Sequence, residues 1–442
     1  MKPLRNNMEA MSNKMKLRST SLLSVLLIST LTGCALIPKE RFPEAKVPEL
    51  NKLEPTLADS SIEIQKNWWT NLGDPNLNTL VDKSLKASPS LGDADARMQS
   101  ALALYESSRA VLIPQIGVNG QVTRAKLSQN FIYIPGVIPP IVDYGSLQGS
   151  LRWSLDIWGK QKQKMQAAGK QFEGAKASLE AAKLQLATTI VGVYIDYDRA
   201  TKSLELSKLD ASVRENLLLI STERKKAGLV DDSTVEMRRI DAELAKVKVG
   251  QASLAVKQLQ HQLAVLAGEG PSWGEQLPAP KLDESKVANN FPDKIPADLL
   301  ARRADLQAML SQIEAAHLDV SASKLDYLPN IDLSANIGYQ SFGLERLLKG
   351  PSQMWDIGPV LSLPIFDGGR IDANITSKEA NRNQAITDYH QALLMSLKDA
   401  ADGIAGFNNA KRDLGHLNQA TRSMQNIFDA NGNLQGLKVV KG

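Results

Sequence analysis

Four histidines, His261, His317, His390 and His416, lie far apart in the 442-residue chain, and none belongs to an H-E-x-x-H pair or a similar short-range set. A zinc site or a general base needs ligands or partners at fixed spacing, so these four read as helix-surface or core residues and no metal is expected. No G-x-x-x-x-G-K-[ST] phosphate loop, no G-x-S-x-G elbow and no cluster able to activate a nucleophile occurs. No catalytic residue and no cofactor is therefore expected, and the chain does not read as an enzyme. Asp231-Asp232 reads as a helix start rather than a site. Arg302 and Arg303 have the charge to hold an anion, but solvated or salt-bridged arginines account for them more simply.

The one residue whose position implies covalent chemistry is Cys34, the only cysteine. It follows a basic stretch, "KMKLR", and about ten mostly apolar residues, "LLSVLLISTL". A bilayer-spanning helix takes about twenty residues, so residues 1–33 read as a secretory signal. "LTGC", Leu31-Thr32-Gly33-Cys34, resembles the bacterial lipobox, in which the cysteine thiol receives diacylglycerol. Ala35 follows, where an aspartate commonly signals inner-membrane retention, so the outer membrane is the expected destination. A lone cysteine excludes an internal disulfide. The leader carries five Lys/Arg and one acidic residue, and the remaining 47 basic and 47 acidic residues cancel. A basic surface for nucleic acid is unsupported.

The elements that follow are few and long. Residues 34–66 are rich in Pro, Lys and Glu and read as a lipid-anchored tether. Asp74 is placed to cap a helix with Pro75 at its first position, and helix resumes after Pro89 to about Val111. Residues 116–122 alternate apolar and polar with period two, as does "SLQGSLRWSLDIW", with Leu147, Gly149, Leu151, Trp153, Leu155 and Ile157 on one face. From Gly159 to Lys226 about 68 residues lack proline, a helix on the order of 100 Å long. Met165, Ala168, Phe172, Ala175, Leu179, Ala182, Leu186, Thr189 and Val193 mark a seam for another helix. Gly228 suits a helix C-terminus, and Ser233 with Glu236 spells a capping box for a return helix to about Ala267.

This order recurs. A helix over 297–325 leads to "DYLPNIDLSANIGYQ", where Pro329 matches Pro114 and Ile331, Leu333, Ala335, Ile337 and Tyr339 alternate. A fourth strand, "WDIGPVLSLPIF", places Trp355, Ile357, Leu361, Leu363 and Ile365 on one face, and Gly369 falls about 210 residues after Gly159. Duplication is the simplest account. The predicted organisation is a signal (1–33), a tether (34–66), a first repeat (67–268), a connector (269–296) and a second repeat (297–442). Four strands with two free edges cannot span lipid alone, whereas three copies supply twelve, within the range of outer-membrane barrels. Trp153, Trp158, Tyr339 and Trp355 fit either an interfacial girdle or core packing.

"WWTNLGDPNLNTLV", "LIPQIGV", "LDIWGK", "KKAGLV", "IPADLLARRADL", "YLPNIDL" and "LPIFDGGR" together resemble the signature positions of the TolC-like outer-membrane efflux proteins, in their lipoprotein (NodT-type) branch. The resemblance covers about residues 34–442. On its motifs fall Trp68, Trp69, Pro114, Gly159, Arg302, Arg303, Asp305, Pro329 and Gly369; the family usually has a proline where this chain has Ala304. The resemblance implies an α+β membrane protein, a homotrimer whose 12-stranded β-barrel in the outer membrane continues as a periplasmic α-helical barrel. It implies a passive exit duct for drugs or other small molecules in a Gram-negative tripartite pump, with a periplasmic membrane-fusion adaptor and an inner-membrane transporter of RND type. The adaptor-docking tip maps onto Lys226, Ala227, Gly228, Leu229, Val230 and Asp231. A duct for type I protein export, or a non-conducting coiled-coil lipoprotein scaffold, is the alternative. Aligned on the repeat, the tail "LKVVKG" falls opposite "KKAGLV", so a returning helix is expected to be missing after Gly442, leaving a leaky or poorly assembling duct.

Overall fold

A computed structural model describes residues 42–48, 67–128, 130, 139–283 and 302–430. The leader, Cys34, most of the tether, the later part of the connector and the tail 431–442 lie outside the described residues. The main described elements are a 3-10 turn at Trp68–Leu72, helices α1 (Pro75–Ala87) and α2 (Pro89–Ala110), strands β1 (Gln115–Lys126) and β2 (Ile141–Ser154), helices α3 (Lys160–Lys226), α4 (Asp232–Leu266) and α5 (Ala304–Lys324), strands β3 (Asn330–Phe342) and β4 (Gln353–Ser362), and helix α6 (Arg370–Ala430). They contribute to two compact units, described separately.

The first unit gathers the described parts of 42–47, 98–175 and 309–388 around one sheet. Its strand order is β1-β2-β3-β4, each neighbour antiparallel, so β1 and β4 are the two edges. Below the strands, helices are tied by charge. Lys160 pairs with Asp326, Lys378 with Asp319 at 3.0 Å, and Lys170 with both Glu173 and Glu314. Those two carboxylates hold the Lys170 ammonium above its ordinary pKa.

The second unit gathers the described parts of 48–97, 176–308 and 389–430. Its core joins Trp69, Leu77, Leu80 and Val81 to Leu186, Ile190, Tyr194 and Leu263. Asp74 caps α1 by accepting from the Asn76 N–H, with Pro75 first in the helix, as the sequence requires. Trp69 is buried and meets Trp68 edge to face at 6.1 Å.

Several boundaries differ from the sequence reading. Strand β2 begins at Ile141 and ends at Ser154, so Leu155 and Ile157 are not on its face. Asp156 adopts φ +42, and its carboxylate accepts from the N–H groups of Gln161 and Lys162, turning the chain into α3 instead of extending the strand. Strand β4 likewise stops at Ser362, leaving Leu363 and Ile365 beyond it, and Asp367 accepts from the Gly369 and Ile371 N–H groups at the start of α6. Helix α5 starts at Ala304; Arg302 and Arg303 precede it, and residues 297–301 are outside the described part. The cap of α4 is Asp231, which accepts from the Thr234 N–H at 3.0 Å. Ser233 instead donates to Asp231, and Glu236 pairs with Arg239, so the expected capping box does not form.

Candidate functional site

Cross-strand partners in an antiparallel sheet share a face, so the register sorts every strand residue onto one of two surfaces. One row reads Ile116, Leu151, Ala335, Ile357; the next reads Val118, Gly149, Ile337, Trp355. The opposite face carries Gly117, Ser150, Asn336 and Asp356 in one row, and Gln115, Arg152, Ser334 and Gly358 in another. Alternation of apolar and polar residues thus survives across all four strands. Among the described residues nothing covers the apolar face: Ile116 is 79% exposed, Val118 73%, Trp355 70% and Ile357 65%. An exposed apolar surface of this extent belongs against a partner or a membrane. The strands hold 12, 14, 13 and 10 residues, and a tilted membrane strand needs about 9–11.

The polar face is hydrogen-bonded within itself. The Asn336 amide donates to Asp356 at 3.0 Å. Near its base a cleft of about 660 Å³ is lined by Gln115, Arg152, Ser154, Asp332 and Ser334 among others. Of the four candidate girdle aromatics, Trp153 donates its ring N–H to the Leu112 carbonyl (3.0 Å) and Trp158 to the Pro329 carbonyl (2.8 Å). Tyr339 and Trp355 lie on the apolar face of the sheet. Pro114 directly precedes β1 and Pro329 directly precedes β3, so the two prolines hold equivalent places. Gly159 and Gly369 take φ of +76° and +86°, each one residue before a long helix.

In the second unit, α3 and α4 are joined by the tip that carries Lys226, Ala227, Gly228, Leu229, Val230 and Asp231. Gly228 has φ +72; its N–H donates to the Lys225 carbonyl and the Leu229 N–H to the Arg224 carbonyl. This pair of bonds is a Schellman closure, which glycine accommodates without strain. Leu229 is left largely exposed. Lys225 pairs with Asp232 across the turn, and hydrogen bonds from Thr234 first, then Ser233, hold the Asp231 carboxyl below its ordinary pKa. Arg303 grips Asp305 through Nε (3.1 Å) and Nη2 (2.7 Å), a bidentate pair, and Ala304 occupies the first helical position, where proline is favoured.

The sequence-predicted residues are therefore not one cluster. The histidines remain apart: His261 meets Glu275 and His317 meets Glu44. Among the described residues no three His, Cys, Asp or Glu side chains are grouped to hold a metal ion, and no helix is long and apolar enough to cross a membrane. Two functional features escaped the pattern reading. The aspartates Asp156 and Asp367, which turn strand into helix, were hidden inside apolar alternation. The polar set Glu379, Arg382 and Asn383 meets partners at Phe42 and Pro43, more than 330 positions away in sequence.

A sheet apolar on one side, polar on the other and open at both edges, with long helices following β2 and β4, is the construction of a subunit of an outer-membrane channel. The chain belongs to the outer membrane efflux protein family, whose family model matches residues 80–269 and 295–434. It is 28% identical over 396 residues to the multidrug resistance outer membrane protein MdtP of Escherichia coli K12, covering 86% of this chain and 80% of that protein. It is 29% identical to the fusaric acid resistance protein FusA of Burkholderia cepacia, covering 82% and 70%. Among solved structures, the VceC outer membrane protein of Vibrio cholerae aligns with a TM-score of 0.74 at 27% identity, covering 84% of this chain and 90% of that one. The Campylobacter jejuni CmeC outer membrane channel aligns with a TM-score of 0.79 at 22% identity, covering 89% and 84%, a likeness of fold.

Proposed function

We propose that the protein is the outer-membrane exit duct of a tripartite efflux pump and conducts drugs or other small molecules passively, with no catalytic step of its own. The observation that carries this reading is the two-faced sheet with unpaired β1 and β4 edges. In hydrocarbon every backbone donor and acceptor needs a partner, so the edges are satisfied when β1 of one copy pairs with β4 of the next. Three copies close a barrel of twelve strands, with Ile116, Val118, Ile337 and Trp355 toward lipid and Asn119, Gln148, Arg152 and Asp356 toward water. A wide aqueous lumen needs no tight binding site, and energy enters at the inner membrane, through a transporter of RND type joined by a periplasmic adaptor.

Within this reading the tip Lys226–Asp231 is the adaptor-docking surface, and Cys34 carries the lipid anchor. The connector and the two repeats keep the boundaries given above. Purified protein in planar bilayers tests the central claim. Discrete conductance steps and a heat-sensitive trimer in mild detergent are expected. A monomer without channel events would favour a non-conducting lipoprotein scaffold and overturn the duct.

A further inference from the structure

Ahead of the first repeat, the segment Phe42–Val47 is held mostly by its backbone. The Phe42 N–H donates to Oε2 of Glu379 at 3.2 Å, and the Phe42 carbonyl accepts from Nη2 of Arg382 at 3.1 Å. The next contacts come from one amide. Nδ2 of Asn383 donates to the Pro43 carbonyl at 3.0 Å, and Oδ1 of Asn383 accepts from the Ala45 N–H at 3.2 Å. Glu44 then links two helices: Oε1 lies 2.9 Å from Nε2 of His317 on α5, and Oε2 lies 3.7 Å from Nη1 of Arg382 on α6.

The placement of the two charged residues on α6 is unusual. Ile371, Ile375, Glu379, Arg382 and Ile386 form one buried stripe at 3-4 spacing, with Glu379 and Arg382 only 1% and 2% exposed. Apolar residues normally fill such positions, and a charge there is destabilising unless paired and hydrogen-bonded. Here peptide groups of the N-terminal segment are among the partners. Asn383 pairs one C=O and one N–H of that segment, as a neighbouring β-strand would. Recognition of that kind reads an extended backbone, and the Glu44 side chain adds its contacts to His317 and Arg382.

We propose that Glu379, Arg382, Asn383 and His317 form a receptor for an extended peptide, occupied by the chain's own Phe42–Val47, which fixes the point from which the N-terminal tether sets out. A consequence for the membrane anchor rests on the lipid-anchor reading of Cys34. Seven residues stand between Cys34 and Phe42, so an acylated Cys34 is confined within about 29 Å of the clip. Glu379 lies about 14 Å along α6 from Arg370, where the chain arrives from β4. The leash exceeds that rise by about 15 Å. The acyl chain is thereby kept beside the strands of its own subunit.

Hydrogen exchange of the full chain in detergent, followed by mass spectrometry on peptides covering 42–48, tests the receptor. Protection of the Phe42 and Ala45 amides is expected in the parent protein. The double variant Glu44→Ala/Asn383→Ala, at partly exposed positions, should exchange there at least tenfold faster while Ile386–Leu397 of α6 stays protected. Arg382→Met should do the same, with the same α6 control for loss of fold. Exchange at the rate of an unstructured peptide in the parent, or unchanged protection in the folded double variant, would overturn the proposal. Cys34→Ser separates the two readings: it should remove acylation and leave the segment protected. Loss of protection in Cys34→Ser would show that the anchor, not the clip, orders the segment. A parent protein without an acyl group would remove the leash and leave the clip standing.

Discussion

The phenol of Tyr194 donates to Oδ2 of Asp74 at 2.7 Å, joining residues 120 apart in sequence, with both side chains sealed from solvent. The same Oδ2 accepts the Lys281 N–H at 2.6 Å, and Oδ1 caps α1. One carboxyl group therefore ties the first helix, the long helix α3 and the connector.

Tyr194→Phe should cost roughly 1–3 kcal/mol, because it leaves a buried acceptor short of a donor. Thermal unfolding followed by helical circular dichroism measures this. Burial first, then the Asp74 contact, holds the Tyr194 hydroxyl above the ordinary tyrosine pKa. An unfolded tyrosine ionises at about pH 10, so above that pH the unfolded chain binds fewer protons than the folded one. The contribution is complete below about pH 10 and declines as pH rises further. The stability gap between parent and variant should therefore narrow in alkali; a constant gap would contradict the assignment.

The two faces of the sheet predict opposite responses to the same residue. Ile337→Lys places a cation on the apolar face and should cost roughly 2–4 kcal/mol if that face meets lipid near its midplane. Asn336→Lys, one residue away on the polar face opposite Asp356, should be tolerated. Recovery of heat-modifiable trimer from outer membranes reads both. Equal loss in the two variants would deny that the faces differ in surroundings.

The long helices and the paired faces were legible because they depend on repeated spacing over many residues. The end of α3 at Lys226, the cap at Asp74 and the face of each strand that carries Leu151 or Ile337 follow from period and composition; the rows across strands come only from the register. The strand ends were not legible, because "LDIW" and "LPIF" continue the alternation while Asp156 and Asp367 divert the backbone into helices. Local hydrogen bonds there outweigh apolar patterning. Ser233 and Asp231 are both good caps by type, and only the turn geometry chooses between them. Glu379 and Arg382 did leave a signal, two charges at seam positions between Ile375 and Ile386, but the segment that covers them lies more than 330 positions away. Sequence spacing cannot register a partner at that distance.

At the tip, folding and docking rest on different residues. Gly228 has open space around a prospective Cβ but a positive φ, so Gly228→Ala should cost about 1–2 kcal/mol through the backbone alone. Leu229→Asp alters an exposed side chain and should leave the helices and single-channel conductance unchanged. If the tip meets a periplasmic adaptor, Leu229→Asp should abolish adaptor cross-linking and drug-resistance complementation. Retained cross-linking would place the docking surface elsewhere.

Asp231 accepts from the Thr234 N–H at 3.0 Å and also bonds the Thr234 and Ser233 hydroxyls, while Ser233 makes no bond to the helix backbone among the described contacts. Asp231→Ala should therefore lower the thermal stability of the α3–α4 hairpin, and Ser233→Ala should have little effect. The Asp231 pKa is depressed in the folded protein, so its contribution is present above the ordinary carboxylate pKa and fades as pH falls through the depressed one. The difference in melting temperature between parent and Asp231→Ala should shrink on acidification below about pH 4. Hydrogen exchange at the Thr234 amide gives a local readout, faster in Asp231→Ala and unchanged in Ser233→Ala. The reverse ranking would restore Ser233 as the cap.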